Sequence, residues 1–361
     1  MRVITGIDLP YGAPGGSVEL LRDLYLGTPP RIPSDVFMLA PADAGTVAPE
    51  GRPVVLSVDG KALDGSDFWS YTDKLSVAIK ERFTADHYDV VHLQHLAFGA
   101  TPALQRAFSD LPHVAIVHGT DLLFAEAHPT QADVLRRTVG SAHAVVVPTI
   151  AMVDRLAQLG AVPGGRVVHI PWGVPDELLA SGAGPTPQPS DTLRILYAGR
   201  LTAEKTTASI LTAVAGLDGV ELSVAAPADE YARLAGGCDL SALRYLGWYT
   251  RPALWREFAR HDLLIVPSLT LEAFGLVAVE AQACGLPVAF HAVPGLSEVL
   301  GDSALRVDFR VVDDVVALVE RVRACPALLD ELREAGRVNS ARFPLSATAS
   351  ALRQLSAELS A

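Results

Sequence analysis

Short apolar runs alternate with helically periodic stretches over most of the chain. The opening VIT and residues 36–40, 54–58, 90–93, 114–117 and 144–147 are apolar runs, interrupted only by Thr5, Ser57 and His92, as strands covered on both faces are. Helical spacing at 18–26, 75–83, 102–108 and 150–159 separates most of them. The pattern breaks at 176–191, DELLASGAGPTPQPSD, whose Gly/Pro/Ser-rich part cannot hold a helix or a central strand. It then restarts: LRILYAG, a helix from about 206, VELSVAA, a helix, LRYLG, a helix at 253–259, LLIVPS, a helix ending at Cys284, and PVAF. Three more helices, at 311–322, 327–339 and 345–359, close the chain. Strands alternating with helices predict an α/β fold of two Rossmann-like, doubly wound domains. Their expected bounds are 1–180 and 192–344, with a linker at 181–191 and a C-terminal helix at 345–361.

Composition narrows the class. At 361 residues two cores are expected, and 50% apolar with 19% charged residues is ordinary for a globular protein. No window approaches ~20 uninterrupted apolar residues, so no membrane span is predicted. The start, MRVITGIDL, reads as a first strand and not as a signal peptide. Three widely spaced cysteines, Cys238, Cys284 and Cys325, point to buried thiols and a cytoplasmic setting. A net charge of −12, divided −7 and −5 about residue 180, argues against nucleic acid or an anionic bilayer as partner. Lysine is rare: only Lys61, Lys74, Lys80 and Lys205 occur.

The stretch richest in chemistry is EAFGLVAVE, Glu272 to Glu280, continuing AQACGLPVAF. Leu276, Val279, Ala283 and Leu286 keep roughly helical spacing, and Gly285-Leu286-Pro287 is a stop signal. Glu272 is therefore expected in the loop entering a helix, and Glu280 within it, ~12 Å further along at ~1.5 Å per residue. The backbone N–H groups of Phe274, Gly275 and Leu276 would then point out of the helix start, where an anion is favoured. Two carboxylates beside an anion site fit a ligand with phosphates in its middle and hydroxyls at both ends.

Doubly wound sheets bind ligands outside the carboxyl ends of their strands. Gly199-Arg200 ends one expected strand, and Lys205 follows five residues later. Their plainer reading is a pair of solvated cations at a helix start. His118, in HGTD after HVAIV, either serves a ligand or caps the next element. Gly15-Gly16 lies before the first helix, without the G-x-G-x-x-G spacing of a nicotinamide site. There is no H-E-x-x-H, no paired cysteine set and no G-x-S-x-G, so neither a metal cage nor a serine nucleophile is expected. His92 and His95 read as core or rim residues.

GRLTAEKT (199–206), EAFGLVAVEAQACGLPV (272–288) and VPGLSEVL (293–300) together resemble the retaining glycosyltransferases of family 4. IPWGVP (170–175) looks like the N-G-V-D turn of that family, VHGTD matches its histidine position, and Gly15-Gly16 its N-terminal glycine loop. The resemblance implies the GT-B fold, two Rossmann-like domains facing each other across a cleft, and a C-terminal helix packing back on the first. It implies that Arg200 and Lys205 hold a donor diphosphate, with Glu280 on the ribose and Glu272 on the transferred sugar. Phe274, Gly275, Leu276 and Gly16 would complete the donor cradle, and His118 would contact the sugar. Catalysis would then rest on Glu272, His118, Arg200 and Lys205, without a metal or a bound cofactor. A UDP-sugar is the favoured co-substrate.

Departures from the family pattern are Trp172 and Pro175 in the turn, Thr206 for a glycine after Lys205, Ala225-Ala226-Pro227, and the single glycine of Pro294-Gly295. Each narrows or stiffens a loop. Residues 59–73, DGKALDGSDFWSYTD, read either as a solvated loop or as a site for a small cationic or aromatic acceptor held by Asp64, Asp67 and Trp69. An aminocyclitol or another specialised metabolite has that chemistry. Two further readings stay open: a sugar-nucleotide-binding protein without catalysis, and a GT-B hydrolase or epimerase.

Overall fold

The computed structural model describes residues 1–41, 53–181 and 190–361. Most of the expected linker, 182–189, lies outside the described residues. The chain forms two compact units, Met1–Trp172 with Leu345–Ala361, and Gly173–Pro344.

The first unit is built on a parallel seven-stranded sheet: β1 (Val3–Pro10), β2 (Ser34–Leu39), β3 (Val54–Leu56), β4 (Val90–Leu93), β5 (His113–Ile116), β6 (Ala144–Val147) and β7 (Arg166–His169). Its strand order is β3-β2-β1-β4-β5-β6-β7. The chain moves outward from β1 and then crosses back to start β4 on the other side. The crevice beyond the carboxyl ends of β1 and β4 is thus the natural ligand position. β4, β5 and β6 are buried at every residue, which is why their positions are apolar apart from the buried His92 and His113. The C-terminal helix Leu345–Ser360 packs on β4, with Ser356 Oγ 2.7 Å from His92 Nε2, and Thr348 Oγ1 donates to the Pro171 carbonyl at 2.8 Å.

The second unit repeats the plan with six parallel strands: β8 (Leu193–Ala198), β9 (Val220–Ala225), β10 (Leu243–Gly247), β11 (Leu263–Val266), β12 (Val288–Phe290) and β13 (Leu305–Arg306). The order is β10-β9-β8-β11-β12-β13, so the reversal falls between β8 and β11. Ile195, Leu222 and Leu263 are each fully buried in its core, at ~1.5–3 kcal/mol per side chain relative to exposure.

Two boundaries differ from expectation. The segment after Trp172 belongs to the second unit, not the first. Val174 is buried, its N–H donates to the Phe343 carbonyl at 2.9 Å, and the short helix Asp176–Ser181 packs on the helix Leu276–Ala283. The helix expected from residue 75 begins a further three turns earlier and spans Gly65–Arg82, so Asp67 and Trp69 are helical, not in a loop. No helix among the described residues is long and apolar enough to cross a membrane.

Candidate active site

In the second unit, both loops at the strand-order reversal carry expected site residues. β8 ends at Ala198, and the chain turns through Gly199, Arg200 and Leu201. β11 ends at Val266 and leads through Ser268 to Glu272. Lys205 Nζ makes an ion pair with Glu272 Oε2, which also accepts from Ser268 Oγ at 3.2 Å. A cation named from one motif and a carboxylate named from another thus share one spot.

Gly275 makes the turn from that loop into the helix Leu276–Ala283. It has φ +84°, and a Cβ there would stand 2.5 Å from Leu296 Cδ1, so a side chain is excluded by both conformation and space. Gly295 is similarly bound to its place. Its φ is +81°, and a Cβ would lie 2.1 Å from the Glu272 carbonyl oxygen, because the two segments pair as an isolated bridge. The helix start has no side-chain cap, and no hydrogen bond from the N–H groups of Phe274, Gly275 or Leu276 occurs among the described residues. Those donors stand beside the Lys205–Glu272 pair, and Phe274 itself is buried against Phe343, ring centroids 5.2 Å apart.

Arg200 and Glu280 each have a partner that sequence reasoning missed. Arg200 Nε and Nη2 donate to Glu230 Oε1 at 2.7 and 2.6 Å, and Glu230 Oε2 accepts the Leu201 N–H at 2.7 Å. Glu230 is buried while the Arg200 side chain keeps 45% exposure, so part of the guanidinium remains open to a ligand. Glu280 lies in the helix, buried, paired with Arg251 and accepting from Trp255 Nε1 at 3.0 Å. Glu230, Arg251 and Trp255 lie 25–30 residues from the groups they hold, so no local pattern marks them.

In the first unit His118 follows β5. Its N–H and that of Gly119 point to the buried Asp121 carboxylate, at 3.3 and 2.7 Å, so the HGTD motif caps its own helix. The ring is not used in that cap. It stacks on Trp172, centroids 5.8 Å apart at 25°, and leans on His95 at 4.8 Å. Burial pushes the His118 imidazole down to about 3, while burial raises the Asp121 carboxyl to about 6 against the pull of its backbone donors. Trp172, a departure from the family turn, is therefore a packing partner of the expected sugar contact. Gly16 opens the helix Gly16–Tyr25, whose start also lacks a side-chain cap.

The acceptor residues do not converge. Asp64 precedes the helix Gly65–Arg82 and pairs with His128 at 2.5 Å, while Asp67 is exposed on the first turn. Trp69 points to a cavity of about 150 Å³ between Pro102, Gln105, Val134, Arg106 and Arg137. The two guanidinium carbons lie 5.2 and 5.6 Å from its ring centroid. A cationic acceptor at Trp69 would meet like charge, whereas an aromatic one would not. A different polar cluster ends β1: Asp8 is buried, pairs with Lys61 at 3.6 Å and accepts the Gly99 N–H at 3.1 Å. The buried Tyr71 hydroxyl beside it has no hydrogen-bond partner among the described residues. No group of three or more His, Cys, Asp or Glu among the described residues could hold a metal ion.

Comparison with known proteins supplies the frame. Residues 184–339 match the family described as glycosyl transferases group 1, and residues 15–178 match glycosyltransferase family 4. A D-inositol 3-phosphate glycosyltransferase of Mycolicibacterium smegmatis is 30% identical over 241 residues, covering 60% of this chain and 55% of the relative. One from Catenulispora acidiphila is 29% identical over 291 residues, 71% of this chain and 69% of the relative. The chain thus spans about half the length of the first of these and about two thirds of the second. In structure it resembles sucrose-phosphate synthase from Thermosynechococcus elongatus, with TM-score 0.81 at 20% identity over 99% of this chain and 98% of that one. It also resembles HepE of Anabaena, solved with UDP-glucose, with TM-score 0.76 at 20% identity over 99% and 100%. With both halves matched in order and one fold shared along nearly the whole chain, this protein belongs to the family 4 glycosyltransferases and has their GT-B fold.

Proposed function

We propose that the protein is a retaining glycosyltransferase that moves a sugar from a nucleoside-diphosphate sugar, a UDP-sugar by preference, to a small hydroxylated acceptor. The observation that carries this is the Lys205–Glu272 pair beside the uncapped start of the helix Leu276–Ala283. Lys205 keeps further ammonium protons after serving Glu272, Arg200 keeps exposed N–H groups, and the helix start adds unspent backbone donors. These are the groups a departing diphosphate needs as its charge grows and the sugar takes on oxocarbenium character. Glu272 accepts hydroxyl protons of the sugar, and Glu280, about one turn into the helix Leu276–Ala283, those of the ribose. The two carboxylates read hydroxyls, and neither is a glycosidase-type acid or base. The proton of the acceptor leaves on the diphosphate.

For the acceptor, two things support a polyol or sugar phosphate. The Mycolicibacterium and Catenulispora relatives are named for inositol 3-phosphate. In this chain Asp8, Lys61 and the unspent Tyr71 hydroxyl gather at the end of β1. The cysteines are free thiols but not buried as expected, Cys238 and Cys284 being half-buried and Cys325 exposed, and unpaired thiols fit a reducing, cytoplasmic setting.

A thermal-shift panel of UDP, GDP, ADP and TDP tests the donor half. A nucleotide at 100 times its Kd adds ~2.7 kcal/mol, a readily measured rise. Radiolabelled donor with inositol, inositol phosphate, hexose phosphates and aminocyclitols then tests transfer. Stabilisation by none of the four nucleotides defeats the proposal, and donor hydrolysis without a transferred product would convert it to a hydrolase.

A further inference from the structure

One hydrogen-bond chain in the first unit decides how His118 presents its ring. Thr5 lies on β1 opposite His92 of β4, and its Oγ1 donates its only proton to the His92 carbonyl at 2.8 Å. Toward Gln94 that oxygen can only accept, and Gln94 Nε2 donates to it at 3.0 Å. The Gln94 amide is thereby fixed against a flip, since the reverse orientation would set two proton-less oxygens against each other. Its Oε1 then faces His118 Nε2 at 3.2 Å. An amide oxygen only accepts, so Nε2 must carry a hydrogen.

A neutral ring with Nε2–H leaves Nδ1 as a lone pair. Burial favours the neutral ring, as the downward shift of His118 reflects. No partner for Nδ1 occurs among the described residues. The charged groups nearby do not claim it. The Asp121 carboxylate is taken up by the backbone N–H groups of Leu96, His118, Gly119 and Leu122. Lys61 serves Asp8, and His95 is itself buried and pushed well down. Trp172 and His95 pack on the ring and fix its plane.

We propose that Gln94 is a positioning residue that locks His118 as the Nε2–H tautomer, so that Nδ1 accepts a hydrogen bond from a hydroxyl of the transferred sugar. His118 therefore recognises and does not shuttle a proton. The sugar contact rests on the donor reading above, whereas the tautomer does not.

The test begins on the free protein with ¹⁵N-labelled histidine and long-range ¹H–¹⁵N correlation at pH 7. His118 is expected with Nδ1 unprotonated; an Nδ1–H ring or an imidazolium overturns the proposal. Gln94→Leu removes the acceptor and is expected to give mixed tautomers. It should also cost about tenfold in kcat/KM for the donor, the worth of one hydrogen bond, with the Kd for UDP unchanged because UDP carries no sugar. Thr5→Val removes the acceptor that orients the Gln94 amide and is likewise expected to give mixed tautomers. An unchanged tautomer and rate in Gln94→Leu, or equal losses in UDP and donor binding, refutes the positioning role. A locked Nε2–H ring in a protein that turns over no sugar nucleotide would defeat the donor reading alone.

Discussion

The Arg251–Glu280 pair offers a sharp quantitative test, because its burial is unequal and its third partner is known. The Glu280 side chain is 4% exposed and that of Arg251 11%, with Trp255 Nε1 donating to the second carboxylate oxygen at 3.0 Å. Removing one member of such a pair strands a buried charge and typically costs ~3–5 kcal/mol. Arg251→Met keeps most of the packing of the aliphatic stem, and the Trp255 bond stays with Glu280, so the lower end, ~3 kcal/mol, is expected. For a unit of this size that is a fall of ~6–12 °C in its melting temperature. Glu280→Gln in the Arg251→Met background removes the stranded charge. The double variant is therefore expected to be more stable than Arg251→Met alone, a non-additivity of ~1–3 kcal/mol. Urea unfolding followed by tryptophan fluorescence suits the measurement, since Trp248 and Trp255 both lie in the second unit. Arg251→Met within ~0.5 kcal/mol of wild type, or additive losses in the double variant, would refute the assignment of Glu280 as a charge held by Arg251. Either result would also remove the reason to expect a rigid ribose contact there.

Lys205→Met is expected to lower kcat by about 100-fold or more, as loss of a group that meets charge developing in the transition state does. Circular dichroism should be unchanged, and a loss below tenfold in a coupled nucleotide-release assay counts against the role. The pH dependence of stability has a defined sign. Burial pushes His92 and His118 down to about 3 in the folded chain, against ~6.5 when unfolded. The folded state therefore refuses protons that the unfolded chain binds, and each histidine costs ~1.4 kcal/mol per pH unit as pH falls from ~6.5 toward 3. Asp121, raised to about 6, takes up its proton first in the folded chain and offsets one histidine between ~6 and ~4. These three groups together cost ~1.4 kcal/mol per unit between pH 6 and pH 4. His95, His113 and His261, also pushed down by burial, add to the loss in the same direction, and a urea midpoint flat across that range contradicts it.

What the sequence made legible follows from burial. Strands covered on both faces, such as β6 and β11, are apolar at every position and so stand out. β7 is an edge strand, largely exposed along RVVH, and it leaves no such trace. The helix from Gly65 was hidden because its buried stripe, Phe68, Tyr71, Thr72, Leu75, Ser76 and Ile79, includes hydroxyl residues that read as polar. Thr72 joins the stripe by returning its hydroxyl to the Phe68 carbonyl at 2.9 Å. At the site, Arg200, Lys205, Glu272 and Glu280 were visible because local motifs carry them. Their partners were not, since an ion pair constrains two distant positions without imposing any spacing between them. The expected acceptor residues are dispersed for a related reason. Acidic and aromatic neighbours in sequence were distributed by the helix onto different faces, and arginines from two other helices took the tryptophan.

On the proposed reading, those hidden partners change how a donor is held. Each cation and each carboxylate named by the motifs is already paired: Arg200 with Glu230, Lys205 with Glu272, Arg251 with Glu280. The three pairs are neutral as a set, so a diphosphate is not drawn in by a naked cluster of charge. It must bind through donors the pairs leave over, namely the exposed side of Arg200, the remaining ammonium protons of Lys205 and the N–H groups ahead of Leu276. Pairing holds these donors in place before the ligand arrives, so little ordering remains to be done during the reaction. On that reading it also couples the transferred sugar to the diphosphate. Anything that draws Glu272 toward a sugar hydroxyl shifts Lys205, and with it the charge offered to the phosphate. On the proposed reading a bound sugar would therefore adjust the field felt by its own leaving group, because one carboxylate serves both.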